Sequence, residues 1–173
     1  MSWSRRISSF AIMVLALATA PARSFAQAPS LPEQLISLAE ARVIMAGAIA
    51  AAVEKNARIG VVVLDATGEM LAAEHMDGAP GRNIIFAQGK AFGSVMYRTT
   101  SRALSEVYKS RPDRYFGIMN TYGNKIYMVE GGFPLAVDGK LVGAVGVAGS
   151  NMDELYAQAG IAAWEKERAR LRK

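Results

Sequence analysis

Ile59-Gly60-Val61-Val62-Val63-Leu64 restricts the fold of this chain more than any other stretch. It is a continuous apolar run, mostly β-branched, of strand length, and it reads as a fully buried strand. The neighbouring elements follow from it. Asp65-Ala66-Thr67-Gly68 is a turn, and Glu69–Met76 returns as the second strand of a hairpin, with Leu71, Ala73 and His75 on one face. Upstream, Ser37-Leu38-Ala39-Glu40 forms a capping box that opens a helix to about Asn56. Ala41, Ile44, Met45, Ala48 and Ala52 make one stripe of that helix, small enough to lie close against a sheet. Downstream, the breakers of Asp77-Gly78-Ala79-Pro80-Gly81 end the hairpin, and Asn83 is placed to cap a helix to about Tyr97. A shorter helix follows over Ser101–Lys109. Arg111–Asn124 reads as an irregular surface loop, on account of Pro112, Gly117 and Gly123. Lys125–Glu130 reads as a third strand that Gly131-Gly132-Phe133-Pro134 interrupts and Leu135–Val137 resumes. Asp138-Gly139 then turns the chain into Leu141–Ala148, whose Gly143 and Gly146 lie on opposite faces. Asn151 with Glu154 is placed to cap a last helix to about Leu171. The order α-β-β-α-α-β-β-β-α, with sequential hairpins and segregated helices, predicts an α+β fold on an antiparallel sheet.

Of the 173 residues, 51% are hydrophobic and 20% charged, a globular composition. A chain of this length buries roughly 70% of its unfolded surface, enough for one well-formed domain. With no cysteine, disulfides, thiolate metal sites, iron–sulfur clusters and a cysteine nucleophile are excluded. With one histidine, His75, so are multi-histidine zinc centres and any Ser–His–Asp triad that does not use it. Met1–Ala26 has a basic start, an apolar run over Ile7–Ala20 and small residues at Ser24 and Ala26, which is the pattern of a signal peptide cleaved before Gln27. The run is too short for a stable membrane anchor. Ser4-Arg5-Arg6 hints at twin-arginine export, but Ser8 stands where a bulky aromatic is usual, so the route stays open. The expected organisation is residues 1–26 as signal peptide, 27–36 as flexible leader and 37–173 as one domain, placed in the periplasm or outside the cell. Past residue 26 the chain holds seventeen cations and fifteen acids. That small surplus, crowded at Arg170, Arg172 and Lys173, suits a helix C-terminus rather than nucleic acid.

Three loops in this order carry a resemblance: Met76-Asp77-Gly78-Ala79, Gly131-Gly132-Phe133-Pro134-Leu135 and Val142–Gly149, with Gly89-Lys90-Ala91 on the helix between. From about Leu35 to Gly160 the chain resembles the GlcG/HbpS-like family. The resemblance implies a profilin-like fold, a five-stranded antiparallel sheet with helices on both faces, and a symmetric homo-oligomer, often an octamer. It also implies a small-molecule ligand, which in some members is haem, while others sit beside genes for hydroxy-acid or diol metabolism. The chain departs from the family at two places: His75 stands where arginine is common, and the Glu-x-x-Glu pattern of the redox-sensing member is absent after residue 26.

Against that background His75 is either a haem axial ligand or a hydrogen-bonded structural residue. Asp77 either binds a polar ligand group or accepts the N–H groups of Gly78 and its neighbours. Lys90, on the helix after that loop, either meets a carboxylate or haem propionate or pairs with Asp77. Gly131 and Gly132, ahead of Phe133 and Pro134, either present bare N–H groups to an anion or form a bulge. Met76, Met96, Met119 and Met128, with Tyr97, Tyr122 and Tyr127, are pocket walls, second ligands or core. No paired carboxylates, metal-ligand cluster or nucleophile elbow is present, so the sequence leans away from catalysis. An exported binder of haem or a related tetrapyrrole is the first reading; an enzyme or accessory protein for small hydroxy acids or diols, using Asp77, Lys90 and His75 for proton transfer, is the second.

Overall fold

The computed structural model describes residues 35–172, so the signal peptide and most of the leader expected from the sequence lie outside the described residues. Helix α1 (Leu38–Glu54) opens on the capping box at Ser37 and Glu40, with both reciprocal bonds formed. It is followed by β1 (Gly60–Asp65), β2 (Met70–His75), α2 (Arg82–Tyr97), α3 (Ser101–Ser110) and α4 (Pro112–Tyr122). A 3₁₀ turn over Gly123–Lys125 leads to β3 (Gly132–Val137), β4 (Lys140–Ala148) and α5 (Asp153–Leu171). The sheet is antiparallel throughout, in the order β2-β1-β4-β3. The apolar run thus occupies a central strand, and β2 and β3 are the edges.

Helices cover both faces. α1 and α5 bury Ile44, Met45, Tyr156 and Trp164 against Val61, Val63, Val145 and Val147. α2 buries Ala87, Ala91 and Val95 against Val62, Leu64 and Ala144 on the other face. A third cluster, Leu104, Ile118, Ile126 and Met128, sits beneath α3 and α4. Gly146 is where α2 comes closest to the sheet: a Cβ there would collide with the Ala87 carbonyl. The α1–α5 pair is tied at its end through Glu40, which accepts from Ser37 N (2.9 Å), Trp164 Nε1 (3.1 Å) and Arg168. Burial alone would raise the Glu40 carboxyl, but these bonds outweigh it and hold the group at about 2, below its ordinary 4.5.

The structure corrects the sequence reading in two elements and two caps. Among the described residues the sheet has four strands, not five, and the order is α-β-β-α-α-α-β-β-α. Lys125–Glu130 alternates buried Ile126 and Met128 with half-buried neighbours, as a strand would, but it lies on helices. Tyr127 N donates to the Gly89 carbonyl of α2 at 3.1 Å, and the sheet edge is taken by β3. Arg111–Asn124, read as irregular, is mostly α4. Pro112 stands at its N-terminus, where a fixed φ and a missing N–H cost nothing, and Asp113 complements the helix dipole in the first turn. Asn83 does not cap α2. It lies inside the helix and donates to the Arg58 carbonyl at 3.3 Å, while Gly81 holds the cap position. At α5 the cap position is Met152, and Asp153 Oδ1 rather than Asn151 accepts the Ser150 N–H.

Candidate functional site

His75 is the last residue of β2, paired in register with Gly60. Its side chain is exposed and its Nε2 lies 3.2 Å from the Pro80 carbonyl oxygen across the following loop. A carbonyl only accepts, so Nε2 carries the proton, and in the neutral ring Nδ1 is then the nitrogen with the lone pair. The loop that brings Pro80 round is held at three points. Met76 N donates to the Ile59 carbonyl (3.1 Å), Ala79 N to the Met76 carbonyl (2.9 Å), and Arg58 Nη1 to the Asp77 carbonyl (2.6 Å). Gly78 takes φ +76°, a conformation glycine adopts without penalty. The result is an open groove of about 620 Å³ between α1 and β2, lined by Ile49, Arg58, Ala73, Glu74, His75, Met76 and Asp77. An imidazole with a free lone pair, a thioether and isoleucine wall and a guanidinium therefore share one opening.

The remaining candidates gather elsewhere. Lys90 is 2% exposed, and its Nζ donates to the Val147 carbonyl (2.9 Å) and to Asp153 Oδ2 (2.7 Å). Its partner is Asp153, not Asp77. Burial pushes the Asp153 carboxyl above its usual range, against the pull of Lys90 and of the Ser150 and Gly149 N–H groups. Gly131, at φ +111°, closes over this pair: a Cβ there would come within 2.7 Å of both the Val147 oxygen and the Asp153 Cβ. Gly132 N is not bare either, since it donates to Ser101 Oγ at 2.8 Å. Phe133 and Pro134 follow half-buried in β3. So the structure brings together His75, Asp77 and Gly78, and separately Lys90, Gly131 and Gly132.

Arg58 and Ile49 in the groove, and Asp153 and Ser101 at the buried junction, were not read from the sequence. Arg58 left no signal in the sequence, because a bulge between Val63 and Leu64 shifts the hairpin register. The β1–β2 register sets Gly60 opposite His75 and Val61 opposite Glu74, and continuing it outward sets Arg58 opposite Asp77. Among the described residues no group of three or more His, Asp or Glu is arranged to hold a metal ion.

The family model described as haem degrading protein HbpS-like matches residues 36–162. The chain belongs to this HbpS-like family. Within it, Protein GlcG of Escherichia coli K12 is 28% identical over 109 residues, covering 60% of this chain and 78% of GlcG. A crystal structure of a Streptomyces reticuli HbpS double mutant superposes with a TM-score of 0.68 at 27% identity, covering 86% of this chain and 97% of that one. The crystal structure of a PduOC:heme complex superposes with a TM-score of 0.69 at 26% identity, covering 75% and 94%. The matched span includes both clusters, the groove at His75 and the junction at Lys90.

Proposed function

We propose that this HbpS-like protein binds haem in the groove beside His75, with the imidazole as axial ligand. The observation that carries the reading is the anchoring of His75 Nε2 on the Pro80 carbonyl, in a residue that lines the groove, which leaves Nδ1 of the neutral ring as the nitrogen with a lone pair to offer. Metal-ligating histidines characteristically donate their second ring N–H to such a carbonyl, which fixes the tautomer and raises the basicity of the free nitrogen. Ile49 and Met76 supply an apolar wall for a macrocycle. Arg58 uses one N–H on the Asp77 carbonyl and retains donors for a carboxylate such as a propionate. Haem, once bound, supplies an iron centre that the chain's own side chains lack. The haem complex of PduOC, on the same fold, supports the choice of ligand.

Titration with haemin, followed in the Soret region, tests this. The wild-type protein gives a saturable shifted band. His75→Ala displaces or removes that band and weakens binding by several kcal/mol, on a scale where about 1.4 kcal/mol is tenfold. An unchanged band and affinity in His75→Ala overturns the axial role, and no band in the wild type overturns haem binding. Removal of residues 1–26 on export and assembly with further copies of itself belong to the same reading. N-terminal sequencing of protein from its native host and light scattering test them.

A further inference from the structure

Asn83 reads in the sequence as a helix cap, and the structure gives it other partners. It stands in the first turn of α2 and is 3% exposed, a depth at which a side-chain amide is normally hydrogen-bonded. Its bonds go to residues of the groove at His75. The Asn83 backbone N–H donates to the Pro80 carbonyl at 2.9 Å, the same oxygen on which His75 Nε2 is anchored at 3.2 Å. The side-chain Nδ2 donates to the Arg58 carbonyl at 3.3 Å. One buried residue thus touches the supports of both the imidazole and the guanidinium.

Glycines admit it to this depth. A Cβ on Gly60, the register partner of His75, would lie 3.0 Å from the Asn83 carbonyl carbon. A Cβ on Gly149, at φ +144°, would lie 2.7 Å from Asn83 Nδ2 and 2.4 Å from the Arg58 carbonyl oxygen. A side chain at either place would push the first turn of α2 away from Arg58. The Arg58 side chain is itself exposed, and an arginine in water samples many rotamers. Here it is held at both ends, by Asn83 on its carbonyl and by the Asp77 carbonyl on Nη1 at 2.6 Å.

We propose that Asn83 is the positioning residue of the groove: it fixes Arg58 relative to His75 and so selects metalloporphyrins that carry free carboxylates. This role rests on the haem reading of the groove and names the part of the ligand that Arg58 recognises. The imidazole takes the iron. A guanidinium that is already ordered meets a propionate without first losing its own freedom, and such preorganisation strengthens binding. An iron porphyrin with both propionates esterified keeps the iron and the apolar macrocycle but offers Arg58 no carboxylate.

Parallel titrations of the full chain with haemin and with haemin dimethyl ester decide it, the ratio of the two affinities being the quantity read. The wild type favours haemin about tenfold, the effect of one charge-assisted hydrogen bond. Arg58→Gln removes the preference. Asn83→Leu, close in volume but without the donor, lowers it to about threefold, the effect of leaving one long side chain unordered. The Soret position stays as His75 sets it. Added to Arg58→Gln, Asn83→Leu changes the ratio no further, as expected of residues that act through one contact. Should Asn83→Leu fail to fold, Asn83→Ser, whose hydroxyl stops one bond short of Nδ2, gives the same lowered ratio. A residue that only supported the fold would weaken both titrations alike, so a ratio that survives these substitutions overturns the positioning role. A normal haemin band with no preference over the ester in the wild type overturns it too, and leaves haem binding standing. No shifted band with either porphyrin overturns haem binding itself, and the role of Asn83 with it.

Discussion

The groove at His75 and the junction at Lys90 are built from similar residues, a base, an acid and glycines, yet the protein treats them in opposite ways. At the junction, the lysine and the aspartate are both buried and matched to each other, Lys90 also to the Val147 carbonyl and Asp153 to the Ser150 N–H. At the groove, the imidazole has one nitrogen anchored and one free, and it lies at the surface. A buried charge without its partner is costly, so the junction is over-determined and closed to an outside ligand. An exposed ring tolerates an unused lone pair and stays available. The difference separates residues that hold the sheet end together from residues that can meet a ligand, although the sequence shows all of them as polar groups beside glycines.

The contrast can be broken first at Lys90. Lys90→Ala strands Asp153 in the interior and should cost about 3–5 kcal/mol, read as the free energy of urea unfolding. A replacement that removes both charges, Lys90→Met with Asp153→Leu, should recover most of that loss. If the single substitution costs no more than a surface change, the junction is not structural. Gly132→Ala comes next. Its methyl would press on the Lys90 backbone and Ser94 Oγ, and overpacking of this kind typically costs about 1–3 kcal/mol, measured the same way. His75→Ala should sit at the other end of the scale, changing stability by less than about 0.5 kcal/mol while the haemin titration changes greatly. A large loss of stability in His75→Ala would erase the distinction between the two regions.

A separate effect concerns acid. Glu40 has a folded pKa of about 2 against an ordinary 4.5. Its contribution is therefore fully present above the ordinary value and is lost as the pH falls from about 5 towards 2. Glu40→Gln should lower stability at neutral pH and flatten the fall in unfolding free energy across that window. An unaltered acid limb would show that the Trp164 and Arg168 contacts do not hold the carboxylate.

The central part of the fold was legible because its signals are local. The capping box at Ser37 and Glu40, the unbroken run into Leu64 and the Asp138-Gly139 turn, with φ +51° and +75°, each involve residues near one another in the chain. What was misread depends on packing. Pro112 and Gly117 suggest a loop until Pro112 is placed at a helix start. Ile126 and Met128 alternate as a strand does, yet their partners are helical residues such as Leu104 and Ile118. The site divides in the same way. His75 and its glycine loop are visible as a local pattern, whereas the partner of Lys90 stands 63 residues further on. No spacing rule connects those two.

His75 closes β2, an edge strand hydrogen-bonded to β1 alone, with most of its residues exposed. Edge elements with little buried surface open locally at far lower free energy than central strands. β2 can therefore detach from β1 and carry the imidazole with it while β1, β4 and the helices stay folded. A ligand seated on His75 would bind only the closed form, and its occupancy should slow amide hydrogen exchange across Met70–His75 while leaving the exchange of β4 unchanged. The rate at which this strand opens would then set an upper limit on how long the groove retains what it binds.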